Sequence, residues 1–290
     1  MRILVTGKTG QVGYELVRSL QCTGEVIAVS SAEMDLSKPA QVRDVIRTVK
    51  PQLIINPAAY TAVDQAEKEP SQAMAINGDA PALMAEEARQ LGAAMIHFST
   101  DYVFDGKKDG AYVETDTPAP LNVYGRTKLA GEQAVQASGI PHLILRTSWV
   151  YGMRGKNFLL TMLRLAQERA ELRIVADQHG APTWCRTLAE ACATVLTQVS
   201  AADNAAEWWG RHGGLYHLTA QGSTTWHGFA DAILKQSDLA KKPLLTAIPG
   251  SAYPTPAIRP SNSILSCQRF EASFCRLPAW DQALALCLEK

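Results

Sequence analysis

Short apolar runs alternate with longer amphipathic segments through the first half of the chain. The runs have strand length and are rich in β-branched residues, and they cover 2–6, 25–30, 52–56, 93–99 and 142–148. The segments between them repeat apolar residues at helical spacing, and they cover 12–20, 42–49, 82–91 and 121–135. This alternation predicts βαβ units and a parallel sheet with right-handed crossovers.

The alternation loosens beyond about residue 150. Helical spacing recurs at 158–168, 187–199 and 226–236, and strand-like runs lie at 172–176 and 214–220. The polar, glycine-containing stretch 201–214 predicts a loop, and the prolines of 248–263 exclude regular structure. These patterns favour an α/β fold, a Rossmann-type doubly wound parallel sheet with a smaller C-terminal lobe.

The division of the chain follows from the same patterns. We expect residues 1–150 to form a dinucleotide-binding domain and 151–290 to form mostly a substrate-binding lobe. The boundary is expected to be discontinuous, with further sheet strands drawn from 151–220.

Composition narrows the class of protein. The chain has 290 residues, of which 47% are apolar and 19% charged, and Lys plus Arg equals Asp plus Glu at 28 each. This balance disfavours nucleic acid or an anionic membrane as a partner. No apolar run approaches the roughly 20 residues that a membrane span needs, and the first strand leaves no room for a signal peptide. Scattered cysteines and histidines indicate reduced thiols, no zinc site and a cytoplasmic protein.

A glycine-rich turn, TGKTGQVG (6–13), follows the first strand and opens the first helix. Gly7 allows a tight turn, Gly10 lets the backbone approach a pyrophosphate, and Gly13 lets the helix pack closely. The helix N-terminus then offers free N–H groups to phosphate. The spacing is GxxGxxG rather than GxGxxG, and such a turn could bind nothing. Its place after the first strand of a βαβ series favours a dinucleotide site.

The end of the second strand bears on the choice of dinucleotide. An acid there would accept bonds from ribose hydroxyls and repel a 2′-phosphate. The strand instead ends at Ser30-Ser31, with the nearest acids at Glu33 and Asp35. Small hydroxyls accommodate a 2′-phosphate, so the sequence favours NADPH. No arginine stands beside them, which leaves NADH use open as well.

A tyrosine and a lysine share one face of the helix at 121–135. Tyr124 and Lys128 are four residues apart, and the preceding strand ends at Ser99-Thr100-Asp101. A nearby ammonium would favour the phenolate and make the phenol a stronger acid. A phenol placed beside a ketone can protonate the oxygen that gains charge during hydride transfer, and the Thr100 hydroxyl could hold that oxygen. The alternative is a packed aromatic residue with a surface lysine.

Together, TGKTGQVG, STDYVFDG (99–106) and YGRTK (124–128) resemble the extended short-chain dehydrogenase/reductase family. Four further motifs resemble the branch of this family that acts on dTDP-linked 4-keto-6-deoxysugars: NPAAYTAVDQAE (56–67), RTSWVYG (146–152), DQHGAPT (177–183) and YPTPAIRPSNS (253–263). The motifs span nearly the whole chain in order. The resemblance implies reduction of the C4 ketone of dTDP-4-dehydro-L-rhamnose to dTDP-L-rhamnose, with NADPH or NADH as coenzyme.

The same resemblance implies roles for individual residues. Tyr124 would donate the proton, Lys128 would also hold the nicotinamide ribose, and Thr100 would complete the triad. The coenzyme contacts would be Gly7, Gly10, Gln11, Val12, Gly13, Ser30, Asp35, Leu36, Ala59, Tyr60, Thr61, Tyr124 and Lys128. The substrate contacts would be Thr100, Asp101, Tyr102, Trp149, Asn157, Phe158 and Arg259. Two of these have other readings, since Arg259 could brace the proline-rich loop and Trp149 could be a core residue.

Several alternatives remain open. A dehydratase of this fold uses an Asp-Glu pair after the threonine, whereas Asp101 is followed by Tyr102, which disfavours dehydration. A nucleotide-sugar 4-epimerase and a non-catalytic NADP(H)-binding regulatory subunit are both compatible with the fold. Some relatives bind Mg²⁺ through carboxylates at a subunit contact, where Glu15 would be a candidate, but no acidic cluster supports a metal. Many extended-family enzymes are dimers, so a homodimer is compatible with the resemblance.

Overall fold

A computed structural model describes residues 1–289 of the chain. The strands are β1 (Arg2–Val5), β2 (Glu25–Ala28), β3 (Leu53–Asn56), β4 (Ala94–Thr100), β5 (His142–Thr147), β6 (Val150–Tyr151), β7 (Glu171–Val175), β8 (His179–Gly180), β9 (Thr183–Trp184), β10 (Gly214–His217), β11 (Thr224–Thr225) and β12 (Leu244–Ile248). Six of them form one sheet in the order β10-β5-β4-β3-β1-β2. Every neighbouring pair in this sheet is parallel.

Helices connect and cover these strands. They are α1 (Gln11–Ser19), α2 (Pro39–Val49), α3 (Val63–Ala66), α4 (Pro70–Met74), α5 (Ala80–Leu91), α6 (Val123–Ala137), α7 (Phe158–Glu168), α8 (Cys185–Ala201), α9 (Ala205–His212), α10 (Trp226–Gln236), α11 (Gln268–Ser273) and α12 (Trp280–Leu288). A π-helical turn, Ala75–Asp79, joins α4 to α5. Within residues 1–289, no helix has the length and apolar content needed to cross a membrane.

Helices lie on both faces of the large sheet. On one face α1 packs against α8, and residues such as Leu16 and Leu188 are fully buried over the strands. On the other face α2, α5 and α6 pack side by side, with Ile46 and Met84 fully buried. Apolar surface removed from water on both faces stabilises the sheet. The predicted Rossmann-type doubly wound α/β fold is therefore confirmed.

The sheet has a switch point between β1 and β3. From β1 the chain crosses through α1 to β2 on one side, and β3 lies on the other side of β1. Connections that diverge in this way leave a crevice at the carboxyl ends of the two strands, where ligands bind in open α/β sheets. The glycine-rich turn 6–13 and the segment that follows Asn56 both begin at this edge.

The smaller lobe is assembled from separate pieces of the second half. Strands β7 and β12 form a parallel pair, and α7, α10 and α12 pack with them around a core that includes Tyr151, Leu159, Phe229 and Leu284. Helix α8 and strand β10 come between these pieces in sequence but belong to the large sheet and its covering layer. Short pairs β6–β9 and β8–β11 run through the junction.

One predicted loop is wrong. Residues 205–212 within the predicted loop 201–214 form α9. The Asn204 side chain accepts hydrogen bonds from the backbone N–H groups of Ala206 and Glu207, which caps the helix. Trp208 packs near Phe274, with ring centroids 6.0 Å apart. Capping and this distant aromatic contact stabilise a helix that the polar composition alone did not indicate.

Candidate active site

The glycine-rich turn has the geometry that its sequence predicts. Gly7 has φ +62, in the left-handed region that favours glycine. A Cβ on Gly13 would lie 2.1 Å from the Gly7 carbonyl oxygen, so α1 could not pack this closely with any side chain there. No side chain caps α1 at Gly10. The first-turn N–H groups of α1 are therefore available to an anion.

A cavity of about 440 Å³ opens above this turn, and we call it the glycine-loop cavity. Most residues predicted to contact a coenzyme line it: Gly7, Gly10, Gln11, Val12, Gly13, Leu36, Ala59, Thr61, Tyr124 and Lys128. The turn thus lies at one part of the cavity and the Tyr124–Lys128 pair at another. The structure brings together residues more than 100 positions apart in sequence.

Three predicted coenzyme residues are outside the lining of this cavity. Ser30 donates its hydroxyl to Glu33 (2.9 Å), and Tyr60 donates its hydroxyl to Glu69 (2.6 Å). Asp35 accepts hydrogen bonds from the backbone and hydroxyl of Ser37, and these bonds lower the pKa of its carboxyl. Their contacts to a coenzyme stay predictions.

Tyr124 is placed by the start of α6. The Asn122 side chain accepts a hydrogen bond from the Gly125 N–H (2.8 Å), which caps the helix. A Cβ on Gly125 would lie 2.1 Å from the carbonyl oxygen of Tyr102, so glycine lets the helix start press against that segment. The ring of Tyr124 meets the ring of Tyr102 edge-on at 5.8 Å. The phenol is thereby fixed between two segments of the fold.

Burial, rather than the neighbouring amine, dominates the proton affinity of Tyr124. Burial raises its pKa to about 12, although a hydrogen bond with Thr100 opposes this effect. Lys128 Nζ is buried and donates to the carbonyl oxygen of Phe98 at 2.6 Å. Lys128 is not among the groups that shift the pKa of this phenol here, so its predicted effect on the acidity of Tyr124 stays a prediction. Desolvation lowers the pKa of Lys128 to about 8, while the charge of Glu132 opposes the shift.

Thr100 and Asp101 lie at the carboxyl end of β4, beside Tyr124. The Thr100 hydroxyl donates to Asp101 Oδ1 at 2.9 Å, and the Asp101 side chain is buried. Burial raises the pKa of Asp101 to about 6, and hydrogen bonds from Ser263 and Thr100 oppose that rise. Asp101 Oδ2 has no hydrogen-bond partner within residues 1–289. A buried, underpaired carboxyl at the end of a parallel strand is typical of a functional site.

A second cavity, of about 690 Å³, lies in the smaller lobe, and we call it the C-terminal cavity. Phe158 and Arg259 line it together with Trp226 and Tyr253. Arg259 forms a two-point ion pair with Asp64, with nitrogen–oxygen distances of 2.7 and 3.0 Å. Arg259 therefore both faces the cavity and ties the proline-rich segment to the larger domain.

Trp149 and Asn157 line neither cavity, but each contacts a residue that does. The Trp149 ring stacks on Trp226 at 3.6 Å, and its backbone has φ 45, in the left-handed region. Asn157 caps α7 and donates to Gln11 Oε1 at 2.8 Å. This bond joins the lobe to the glycine-rich turn, and the Asn157 amide is used internally. Its predicted substrate contact stays a prediction.

Tyr102 lies between the residues of the two cavities. Its ring contacts Tyr124, which lines the glycine-loop cavity, and the charge of Arg259, which lines the C-terminal cavity, acts on its hydroxyl. The phenol of Tyr124 thus lines the glycine-loop cavity, and Tyr102 connects it to a residue that lines the C-terminal cavity. Such an arrangement suits a reaction between two ligands bound on opposite sides.

Comparison with known proteins agrees with this geometry. The family described as RmlD substrate binding domain matches residues 1–290. The dTDP-4-dehydrorhamnose reductase of Burkholderia thailandensis is 46% identical over 295 residues, covering 99% of this chain and 98% of the relative.

The chain belongs to the dTDP-4-dehydrorhamnose reductase family.

Other dTDP-4-dehydrorhamnose reductases also match over nearly the whole chain. The Escherichia coli K12 enzyme of that name is 47% identical, covering 97% of this chain and 94% of the relative. The Bacillus anthracis dTDP-4-dehydrorhamnose reductase, solved in complex with NADP, superposes with a TM-score of 0.90 at 34% identity. That superposition covers 99% of this chain and 98% of the other.

Some residues that line the glycine-loop cavity were not predicted from the sequence of this dTDP-4-dehydrorhamnose reductase family member. Met34 lines the glycine-loop cavity beside Ser31, whose hydroxyl the sequence had already indicated, and Thr147 and Lys156 line another part of it. Thr147 lies within the motif RTSWVYG, so the motif carried a signal for it. Lys156 is an exposed residue of an irregular segment, and no local pattern marks it.

Acidic residues do not gather into a metal site in the part of the chain that the structure describes. Within residues 1–289, no three His, Cys, Asp or Glu side chains form a group that could hold a metal ion. Glu15, the candidate suggested by resemblance to the dTDP-4-dehydrorhamnose reductase family, lies on α1. No metal is assigned to this chain.

Proposed function

We propose that this protein reduces the C4 ketone of dTDP-4-dehydro-L-rhamnose to dTDP-L-rhamnose, with NADPH as the preferred coenzyme and NADH as a second one. The observation that carries the proposal is the position of Tyr124, which lines the glycine-loop cavity together with Lys128 and forms a hydrogen bond with Thr100. Relatives of 46% and 47% identity that bear this reductase name support it.

The glycine-loop cavity fits a dinucleotide coenzyme. Glycine at 7 and 13 and the uncapped start of α1 leave backbone N–H groups for a pyrophosphate. Lys128 lies at the part of the cavity beside Tyr124, where it would hold the nicotinamide ribose. The complex of the Bacillus anthracis relative with NADP supports this assignment. When bound, the reduced nicotinamide supplies the hydride.

Tyr124 acts as the proton donor. With its pKa raised to about 12 by burial, the phenol stays protonated at neutral pH and is ready to protonate the carbonyl oxygen as negative charge develops there. Lys128 is mostly charged at pH 7 because its pKa is about 8, and its ammonium would stabilise the phenolate that remains. The Thr100 hydroxyl bonds with Tyr124 and orients the phenol.

The substrate lies across the junction and into the C-terminal cavity. Thr100, Asp101, Tyr102 and Trp149 contact the deoxysugar, and Phe158 and Arg259 contact the nucleotide diphosphate half. The Arg259 guanidinium, half-buried and presenting a planar fork, suits diphosphate oxygens. Asn157 keeps the start of α7 beside the glycine-rich turn and thereby fixes the smaller lobe next to the coenzyme site.

We also propose that the protein works in the cytoplasm as a homodimer, without nucleic-acid or membrane partners. The equal numbers of acidic and basic residues support the absence of a nucleic-acid or anionic-membrane partner bound by net charge. Dimers are common in the extended family that the sequence resembles. Sedimentation of the purified protein measures the oligomeric state directly.

Turnover with matched tyrosine variants tests the proposed function. The purified protein is mixed with NADPH and dTDP-4-dehydro-L-rhamnose, and oxidation of the coenzyme is followed by absorbance. We expect Tyr124→Phe to lower kcat by about 10²–10⁴-fold, the range for loss of a general acid. Tyr14→Phe, on the α1 surface outside both cavities, serves as the control and keeps full activity.

Other outcomes would contradict the proposal. Tight NADPH binding with no turnover of the keto sugar would favour a regulatory subunit. Conversion of a 4-hydroxy sugar nucleotide to its epimer, with no net coenzyme consumed, would favour an epimerase. Full activity of Tyr124→Phe would exclude Tyr124 as the donor.

A further inference from the structure

An ion pair closes the gap between the glycine-rich turn and the end of β2. Lys8 Nζ lies 2.7 Å from Glu33 Oε1 and 2.6 Å from Oε2. The same Glu33 Oε2 accepts hydrogen bonds from the N–H and the hydroxyl of Ser30, at 2.7 and 2.9 Å. The Lys8 backbone N–H donates to the carbonyl of Val29 at 3.0 Å. We call Lys8 and Glu33 the β2-end pair.

The β2-end pair lies at the rim of the glycine-loop cavity. Gly7 and Thr9, on either side of Lys8 in sequence, line this cavity, as do Ser31 and Met34 on either side of Glu33. The Lys8 side chain is 36% exposed and that of Glu33 49% exposed. Both side chains are therefore partly open to solvent beside residues that line the cavity.

This position is the one that separates the two common dinucleotides. In the Rossmann architecture, groups at the end of the second strand meet the adenosine ribose, which carries a 2′-hydroxyl in NADH and a 2′-phosphate in NADPH. A carboxylate accepts hydrogen bonds from ribose hydroxyls and repels a phosphate. An ammonium attracts the phosphate, and hydroxyls can donate to it. The β2-end pair and Ser30 bring both sets of groups to one place.

The negative charge of Glu33 is firmly set. A hydrogen bond from Lys8, followed by those from Ser30, lowers the pKa of Glu33 to about 2. Glu33 is therefore ionised throughout the neutral range. Exposed ion pairs of this kind contribute little to stability. Lys8 can consequently change from Glu33 to another anion at small cost.

We propose that the β2-end pair selects the coenzyme. When NADPH binds, Lys8 leaves Glu33 and binds the 2′-phosphate. When NADH binds, Glu33 accepts a hydrogen bond from the 2′-hydroxyl and keeps its ion pair with Lys8. Ser30 and Ser31 donate their hydroxyls to the phosphate in the first state. The proposal rests on the proposed function, because it describes the coenzyme half of the same site. In this proposal Glu33 supplies the acidic group that position 30, a serine at the end of the second strand, lacks.

Binding of two adenosine fragments tests the proposal without turnover. Adenosine 2′,5′-bisphosphate carries the phosphate that distinguishes NADPH, and 5′-AMP lacks it. Both are titrated calorimetrically into the full-length protein and its variants. We expect Lys8→Met to weaken the bisphosphate by about tenfold, the loss expected for one charge-assisted hydrogen bond, and to change 5′-AMP affinity less than about twofold.

The partner variant should shift the preference in the opposite direction. Glu33→Gln frees Lys8 and removes the repulsion of phosphate, so we expect bisphosphate affinity to rise about threefold and 5′-AMP affinity to fall by a similar factor. Added salt should reduce the bisphosphate preference of the unmodified protein. Lys235→Met, which removes a more exposed ion pair with Asp231 on α10, is the control and should change neither affinity.

The outcomes distinguish failure of the coenzyme-selection proposal from failure of the proposed function. If both fragments bind but Lys8→Met weakens them equally, or leaves both unchanged, the β2-end pair does not select the coenzyme, and the proposed function stands. If neither fragment binds the unmodified protein, and NADPH does not bind either, the coenzyme assignment fails and the pair's role fails with it. Circular dichroism melting confirms that each variant is folded.

Discussion

At the residue scale, the carboxyl of Asp101 is held in a setting that stabilises its neutral form. Burial beside Thr100 outweighs the hydrogen bonds that it accepts and raises its pKa from 3.8 to about 6. The folded protein therefore binds this proton more tightly than the unfolded chain does. The free energy of unfolding must fall as pH rises from about 4 to about 6, and the loss persists above pH 6.

Asp101→Asn tests this cost directly. The variant cannot ionise, so at pH 7.5 we expect its free energy of unfolding to exceed that of the unmodified protein by about 3 kcal/mol, and at pH 4 the two should agree closely. Urea unfolding at both pH values measures the difference. Asp105→Asn is the control on the same segment: hydrogen bonding to Lys107 lowers the pKa of Asp105, so this variant should not gain stability at neutral pH.

Substrate affinity should fall in Asp101→Asn although its stability rises. If this carboxylate contacts the deoxysugar as proposed, the stabilised variant should bind substrate more weakly. A variant that gained stability and kept full substrate affinity would remove Asp101 from the site. Functional residues commonly lower stability in this way.

At the element scale, the packing of α1 on the glycine-rich turn depends on one missing side chain. Gly13→Ala would place a Cβ 2.1 Å from the Gly7 carbonyl oxygen, and α1 would have to shift to relieve the contact. We expect the free energy of unfolding to fall by about 1–3 kcal/mol and NADPH affinity to fall with it. Urea unfolding and calorimetric titration measure the two effects.

Gly210→Ala is the matched control for this substitution. Gly210 lies in α9, and a Cβ there would have no atom within 4 Å. Alanine favours a helix over glycine, so this variant should gain about 0.5–1 kcal/mol and bind NADPH unchanged. If Gly13→Ala behaved like Gly210→Ala, close packing at the turn would not matter for the coenzyme.

Elements set by local pattern could be predicted from the sequence, and those set by distant contacts could not. Apolar periodicity predicted the bounds of α7 and α10, because each helix buries one continuous face. It predicted the bounds of β1, β3, β4 and β5 within one residue, because these central strands are continuous apolar runs. Strand β12 was missed because its partner, β7, lies about 70 residues earlier in the chain. The helix α9 was missed because its cap and its contact with Phe274 do not appear in its composition.

The same division holds for the site. Gly7 and Gly13 could be recognised because turn geometry is a local property. The bond from Lys128 to the Phe98 carbonyl joins residues 30 positions apart, and the Lys8–Glu33 pair joins residues 25 apart. Helical spacing placed Lys128 on the same face as Tyr124. It could not show that the Lys128 ammonium would donate a hydrogen bond to a backbone carbonyl on β4.

At the scale of the whole molecule, one ion pair joins the proline-rich segment to the larger domain. Asp64 follows β3, and Arg259 lies 195 positions later in the segment that borders the C-terminal cavity. The hydrogen bond from Arg259 lowers the pKa of Asp64. Because Asp64 is 41% exposed, solvent screens the pair, and we expect it to contribute less than about 1 kcal/mol to global stability.

Asp64→Asn should therefore loosen one segment without unfolding the protein. We expect faster amide hydrogen exchange in residues 253–263, unchanged exchange in the strands of the large sheet, and weaker binding of a dTDP-sugar. Mass spectrometry of peptic fragments measures the exchange. Asp231→Asn, which breaks the exposed pair with Lys235 on α10, is the control and should leave 253–263 unchanged. A uniform rise in exchange would mean that the pair supports the fold as a whole.

The stacked indoles of Trp149 and Trp226 have a further consequence. With ring centroids 3.6 Å apart and planes within 9°, the two chromophores share their excited state, so their light emission differs from that of separated tryptophans. Trp226 borders the C-terminal cavity, and a sugar that inserts beside Trp149 would part the rings. If the deoxysugar contacts Trp149 as proposed, we expect tryptophan emission to change when the substrate binds, with no attached dye.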